Sequence, residues 1–259
     1  MNREENPRWG SFCVIVPMYN EQSKAEMCVQ RISEILATIP NRSALVAVND
    51  GSSDETAGIL HRLSADLPNL TVIHHEKNCG YGAALRTGMG YAAQAGFDYA
   101  LFMDSDLTND PGDIPKFVEK MRDGYEVIKA TRYSDGGGVS GVPRYRVLIS
   151  RVGNWIARRL YRIPITDCTN GFRAVRTSLL SQMELTEPKF PIIMEELYYS
   201  SFLAATYAQI PVRLTNRGEG QRPTSFVYRP GVFYDYLKYP LKAFFRIRPQ
   251  IPALSGAKR

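Results

Sequence analysis

Short apolar runs alternate with longer amphipathic stretches between residues 12 and 131. Phe12–Val16, Leu45–Val48, Leu70–Ile73, Tyr99–Met103 and Val127–Ala130 are brief, largely β-branched or otherwise apolar, and bounded by turn formers, which predicts buried strands. Between them, Gln22–Thr38, Asp54–Ala65, Gly82–Ala95 and Pro111–Arg122 repeat apolar residues at helical spacing. This alternation predicts an α/β fold, a mostly parallel central sheet covered by helices on both faces. In such sheets ligands bind beyond the carboxyl ends of the strands.

The polar clusters follow the strands as that rule requires. The first strand runs into Pro17-Met18-Tyr19-Asn20-Glu21, the second into Asn49-Asp50-Gly51-Ser52-Ser53-Asp54, the fourth into Asp104-Ser105-Asp106 and the fifth into Thr131-Arg132. Each alone suits a turn or a helix cap, and Ser52-Ser53-Asp54 is positioned to cap the helix after it. Four at one edge predict a site. Asp104 and Asp106 are suited to hold a hard divalent cation, with a solvated or helix-capping loop as the alternative. Gly80, Gly82 and Gly88 line the start of the third helix. Their spacing fits neither a dinucleotide fingerprint nor a P-loop, leaving close approach of a phosphate or sugar, or a tight turn.

Composition narrows the class. At 259 residues and 44% hydrophobic, the chain can bury a sizeable core. Its four cysteines, Cys13, Cys28, Cys79 and Cys168, are scattered, which suggests reduced thiols in the cytoplasm rather than a zinc site or a disulfide framework. Met1–Pro7 lacks the pattern of a signal peptide, and no uninterrupted apolar stretch of about 18 residues is present to span a bilayer.

Charge is uneven. From Arg222 to Arg259 eight cations face one acid, making that stretch +7 and leaving −1 for residues 1–221. Eight aromatics lie in the same stretch. Basic residues among Tyr and Phe suit a membrane interface. Single-stranded nucleic acid and a helix packed on the core through its rings are the alternatives; no nucleic-acid partner is expected. Pro143 starts a further helical stretch in which Arg144, Arg151, Arg158 and Arg162 form one stripe beside an apolar face of Ile149, Val152, Ile156 and Leu160. Such a helix suits a bilayer surface, or is an ordinary helix with a solvated basic face.

Val16–Glu21, Asn49–Thr56, Asn78–Ala84, Asp104–Leu107 and Asp167–Arg173 occur in the order and spacing of family 2 glycosyltransferases. The chain resembles most the dolichol- or polyprenol-phosphate mannosyltransferase branch, over roughly residues 12–225. The resemblance implies a GT-A fold and transfer of a sugar from a nucleoside-diphosphate donor, GDP- or UDP-linked, with inversion at the anomeric carbon. It implies that Pro17, Tyr19, Glu21 and Asp50 surround the nucleotide, with Gly82 beside them, and that Asp104 and Asp106 hold Mg²⁺ or Mn²⁺ against the diphosphate. Arg132, Arg146 and Ser150 map onto residues that contact an acceptor phosphate, and Arg222 onto a cation near the phosphates. Arginine's planar fork suits phosphate oxygens.

Thr108 stands where the branch commonly has Gln. Asp167 is either the general base for a hydroxyl acceptor or a group that orients the donor sugar and the arginines. Glu195 and Glu196 raise the same question, with Glu195 the one expected to face the site. The expected domains are a catalytic domain over 1–221, with a nucleotide-sugar half at about 12–131 and an acceptor half at about 132–221, and a basic aromatic C-terminal amphipathic helical segment over 222–259. The expected function is transfer of mannose or glucose to a polyprenyl phosphate by a protein peripheral on the cytoplasmic face of a membrane. The alternatives are a soluble family 2 enzyme acting on a hydroxyl, and a non-catalytic sugar-nucleotide or lipid-phosphate binding module.

Overall fold

The computed structural model describes residues 10–203, 206–214 and 230–251. Its strands are β1 (Phe12–Met18), β2 (Ser43–Asn49), β3 (Leu70–His74), β4 (Tyr99–Phe102), β5 (Val127–Thr131), β6 (Gly138–Val139), β7 (Arg173–Arg176), β8 (Tyr207–Pro211) and β9 (Arg213–Leu214). The helices are α1 (Ala25–Ala37), α2 (Thr56–Asp66), α3 (Tyr81–Gln94), α4 (Ile114–Arg122), α5 (Arg144–Tyr161), α6 (Thr177–Leu180), α7 (Ile192–Leu203) and α8 (Pro230–Phe244). Seven strands form one sheet in the order β3-β2-β1-β4-β7-β5-β8, and β6 pairs with β9 beside it.

β1 lies inside the sheet between β2 and β4 and parallel to both, with Val14 opposite both Leu45 and Leu101. Its side chains alternate, so Cys13 and Ile15 enter the core under α3, α5, α7 and α8, while Phe12, Val14, Val16 and Met18 enter the core under α1, α2 and α4. Both faces are covered, which is why these strands read as continuous apolar runs. Gly88 lets α3 close on β1: a Cβ there would lie 2.3 Å from Ile15 Cγ2.

All five predicted strands form, each within two residues of the expected ends. The differences have local causes. α1 begins at Ala25 rather than Gln22, because Glu21–Lys24 folds as a turn whose backbone is tied to the loop after β2. Pro111–Asp113 is a 3-10 turn before α4, with Asp110 accepting from the Gly112 amide at 2.9 Å. The larger addition is β7, antiparallel between β4 and β5, with Arg173 opposite both Phe102 and Lys129. Running backwards, β7 starts at the carboxyl edge of its neighbours, and so delivers the turn before it, residues 167–172, to that edge.

α5 buries Asn154, Ala157 and Tyr161, and Arg162 leaves the helix with φ 58°. Arg144, Arg151 and Arg158 therefore share the exposed stripe predicted for them, whereas Arg162 lies past the helix end. α8 packs against α5 and α7 through Tyr239 and Ala243, so part of the C-terminal segment does pack on the core. Among the described residues no helix is long and apolar enough to cross a membrane.

Candidate active site

The loops after β1 and β2 are knitted into one wall. Asn20, at φ 54°, accepts from the Ser53 amide at 2.8 Å and gives its own amide to Ser52 Oγ at 2.9 Å. The Glu21 amide donates to Thr56 Oγ1, and Asp54 accepts from the Thr56 amide, so Asp54 holds the start of α2 as expected. Pro17 is buried at the end of β1, Tyr19 is 40% exposed beyond it, and Glu21 is half-buried. Asp50 is buried below them. Its carboxylate accepts from the amides of Cys79 and Gly80 at 2.9 and 2.8 Å and lies 2.7 Å from His75 Nδ1, while His75 Nε2 meets Thr87 Oγ1 at 2.9 Å. Three of its roughly four lone-pair positions are occupied, leaving about one for a ligand N–H.

Asp50, His75 and Cys79 also offer ligand atoms within 4.8 Å of one another. Imidazole and thiolate suit a softer ion than Mg²⁺. Because both ring nitrogens of His75 are engaged, the trio is better read as a relay that fixes Asp50. Sequence reasoning missed His75 and Thr87, neither of which lies in a recognisable motif.

Gly82 is placed otherwise than expected. It is buried, its amide donates to Pro188 O at 2.9 Å, and a Cβ would lie 2.0 Å from Glu187 O. Gly80, at φ 97°, meets the same segment, its Cβ position 2.4 Å from Pro188 O. These glycines admit the 187–188 chain rather than a donor, because the helix start is already covered by protein.

Asp104 and Asp106 emerge half-buried from the end of β4. Tyr81 donates to Asp104 Oδ1 at 2.9 Å, and burial followed by the Asp104 charge pushes that hydroxyl well above its usual pKa, keeping it a donor. Gly171 backs the same carboxylate, a Cβ there lying 3.0 Å from Asp104 Oδ2. Thr108 gives both its amide and its hydroxyl to Asp106 Oδ1, at 3.0 and 2.7 Å. Two oriented carboxylates on one loop are hard oxygen donors, and they fit Mg²⁺ or Mn²⁺ better than the Asp50 trio does. α8 reaches the same place: burial and then the charges of Asp104 and Asp235 raise Tyr236 to about 12.

Arg132, at the end of β5, grips Asp167 through Nε at 2.6 Å and Nη2 at 2.8 Å, and Nη2 also reaches Thr169 Oγ1 at 2.9 Å. Nη1 has no partner among the described residues, so one end of the fork remains able to meet an anion. Burial pushes the Asp167 carboxyl up, but the charge and hydrogen bonds of Arg132, with Lys129 behind, hold it below the ordinary carboxylate range. Tyr133 bridges to α5, its hydroxyl 2.7 Å from Ser150 Oγ and its ring 5.1 and 5.6 Å from the Arg132 and Arg151 guanidiniums. Arg146, one turn before Ser150, shares its face. Asn154 closes the group from below, accepting from the Cys168 amide at 2.6 Å. Tyr133 and Asn154 escaped sequence reasoning, although Tyr133 adjoins Arg132. Arg222 lies outside the described residues.

Of the paired glutamates, Glu195 departs from expectation. Glu195 accepts from the amides of Thr186 and Glu187, both at 2.9 Å, and from Thr186 Oγ1 at 2.8 Å. It pins the 186–188 segment over α3 rather than facing the site. Glu196 is bidentate to fully buried Arg173, both bonds 2.7 Å, and the Arg173 guanidinium lies 4.2 Å over the Phe102 ring behind Asp104. Buried Lys129 donates to Asn170 O at 2.7 Å, and burial, then the Arg173 charge, lowers it to about 8.

The sequence profile of Glycosyl transferase family 2 matches residues 13–183. Polyprenol monophosphomannose synthase of Mycolicibacterium smegmatis is 29% identical over 174 residues, 67% of this chain and 64% of that protein. Dolichol-phosphate mannosyltransferase of Pyrococcus furiosus is 32% identical over 210 residues, 80% of this chain and 58% of that protein. For undecaprenyl-phosphate mannosyltransferase of Micrococcus luteus the figures are 26% over 214 residues, 82% and 86%. The chain thus spans less than two thirds of the first two relatives. Among solved structures, glucosyl-3-phosphoglycerate synthase of Mycobacterium tuberculosis with uridine diphosphate superposes with TM-score 0.65 at 19% identity, covering 93% of this chain and 81% of that one. A complex of that enzyme with Mn²⁺, uridine diphosphate and glucosyl-3-phosphoglycerate gives 0.60 at 21% identity, covering 82% and 73%. That likeness is one of fold, the GT-A α/β arrangement. With its profile matched over well over half its length, the chain belongs to glycosyl transferase family 2.

Proposed function

We propose that this glycosyltransferase moves a sugar from a nucleoside-diphosphate donor to a polyprenyl phosphate, with inversion at the anomeric carbon. The observation that carries the reading is the state of Asp167. A hydroxyl acceptor needs a base to take its proton, whereas a phosphate monoester arrives already anionic. Asp167 is fully buried and gripped by Arg132 on both oxygens, a poor base and a good anchor. Glu195 and Glu196 are likewise engaged elsewhere.

Arg132 Nη1, Arg146 and Ser150 then bind the acceptor phosphate and aim one oxygen at the anomeric carbon. That oxygen forms the new bond as the bond to the diphosphate breaks, and no proton has to move. Asp104 and Asp106 would hold Mg²⁺ or Mn²⁺, which supplies stabilisation of the charge gathering on the leaving diphosphate. Tyr81, Gly171 and Thr108 keep the two carboxylates oriented. The loops after β1 and β2, with Asp50 below Tyr19 and Glu21, bind the nucleotide, and the single remaining acceptor position on Asp50 suits the ring N–H of uracil or guanine.

The curated relatives are named for polyprenol, dolichol or undecaprenyl phosphate and mannose, which supports a lipid phosphate acceptor and mannose as the sugar. Tyr145, Leu148, Ile149, Val152 and Trp155 stand 38–63% exposed along α5, a face suited to a bilayer surface. We read residues 1–221 as the catalytic domain and 222–259 as the segment that meets the membrane. The test is transfer from labelled GDP- and UDP-sugars to polyprenyl phosphate, with Mn²⁺ or with EDTA, scoring label in the organic phase. Metal-dependent label there is the expected result. Donor turnover with no label in the organic phase, matched by label on a hydroxyl acceptor, refutes the reading.

A further inference from the structure

Between Arg144 and Arg162 the chain has six arginines and no acid. Three of them, Arg158, Arg159 and Arg162, gather where α5 ends and, with Trp155 and Ile163, line a groove of about 500 Å³. All three are exposed, and among the described residues none forms an ion pair with a carboxylate. Aromatic rings face two of them instead: the Arg159 guanidinium lies 5.7 Å from the Trp155 ring centre, and that of Arg162 5.7 Å from the Phe244 ring centre. A helix dipole favours a cation at the last turn. It does not account for three converging on an open groove without counter-charge, where like charges repel and an anion between them would remove the repulsion.

The surroundings choose the kind of anion. The exposed apolar ladder from Tyr145 through Leu148, Ile149 and Val152 leads along α5 to Trp155 at the groove. On α8, Phe244 and Phe245 are 42% and 68% exposed, and Lys242, Arg246 and Arg248 lie exposed within four residues of Phe244. A soluble phosphate calls for the cations but not the ladder. A lipid calls for both, with cations at the headgroup level and rings at the apolar boundary.

We infer that the Arg158, Arg159 and Arg162 groove seats the phosphate headgroup of an anionic membrane phospholipid, at a site separate from the acceptor phosphate group. By the helical rise it lies roughly 20 Å along α5 from Arg146. The inference rests on the reading above that α5 faces a membrane.

The test is flotation of the full chain with phosphatidylcholine vesicles, with and without phosphatidic acid, comparing wild type with the triple variant Arg158→Gln/Arg159→Gln/Arg162→Gln. Loss of about fivefold per cation predicts about 100-fold weaker binding to the acidic vesicles. Binding to neutral vesicles is expected to stay as in wild type. Equal binding of both proteins to acidic vesicles overturns the inference. So does a groove that binds inorganic phosphate, seen as a phosphate-dependent rise in Tm lost in the variant, while vesicle binding is unaltered. Where the triple variant fails to fold, the three single variants decide, each expected to lose about fivefold, and no loss in any of them overturns the site. Transfer to detergent-dispersed polyprenyl phosphate, run on the same preparations, should be equal in wild type and variant. If wild type transfers nothing yet its vesicle binding depends on the arginines, the proposed reaction fails and the headgroup site stands.

Discussion

At Asp167 burial and charge act in opposite directions, and the arginine wins. Because its folded pKa is lowered, the pair contributes stability that is present above the unfolded value of about 3.9 and is lost only as pH falls through the folded one. Activity should therefore show no decline between about pH 8 and 5 that Asp167→Asn removes; a base whose pKa burial had raised into that range would give one. The same variant leaves Arg132 without its partner and should cost about 3 kcal/mol in urea denaturation, with a raised KM for the acceptor. Lys129 has the opposite sign. Its folded pKa of about 8 lies below the usual lysine value of 10.5, so the folded state binds fewer protons between those values and stability rises with pH across that window. The burial cost, about 3 kcal/mol from the shift, is fully present below pH 8. Lys129→Met should remove this rise, measured as the difference in urea midpoint between wild type and variant from pH 7 to 10.

At the scale of elements, the close approaches are made by glycine and by one loop. α3 meets β1 at Gly88, and meets the 187–188 chain at Gly80 and Gly82. Gly88→Ala must displace Ile15 inside the core, an overpacking expected to cost about 2 kcal/mol and to lower Tm by about 5 °C. Calorimetry of the variant reads it directly. The 187–188 chain is itself held by Glu195 from α7, by Arg86 from α3 at 2.6 Å to Glu187 O, and by Lys238 and Tyr239 of α8, which both reach the Glu187 carboxylate. α8, with Tyr236 close to Asp104, is thereby fastened to the side of the site opposite α1.

For the whole molecule, the sheet edge gathers the chemistry and the α5 and α8 side carries the exposed apolar residues. If that side meets a bilayer, vesicle binding should depend on two separable terms. Binding to acidic vesicles should weaken steeply as salt shortens the screening length. Leu148→Ser/Val152→Ser should weaken it about tenfold at every salt concentration, since apolar burial is not screened. A double variant that binds like wild type in flotation refutes the membrane-facing assignment of α5.

Much of the architecture was legible in the chain because parallel strands buried on both faces leave an unbroken apolar signal. The loops at their carboxyl ends must then bear the polar residues. The βα order, the Asp104 and Asp106 loop, the Arg132 position and the α5 stripe as far as Arg158 all follow from such local patterns. β7 was not legible. Four residues, Arg173-Ala174-Val175-Arg176, have no strand signature of their own and are held by pairing with β4 and β5. With β7 came the placement of residues 167–171 beside Asp104 and Arg132, and the pairing of both Asp167 oxygens with Arg132. Gly82 and Glu195 were misread for the same reason: only when α7 packs does the 186–188 chain lie over α3, where it takes the space beside one and the oxygens of the other. Sequence by itself determined which elements form and which chemistry stands at their ends, since periodicity and turn formers act over a few neighbours. Tertiary structure alone decided which polar groups are already partnered, because bonds such as those of Tyr81 with Asp104, Arg132 with Asp167 and Tyr239 with Glu187 join residues 23, 35 and 52 positions apart along the chain.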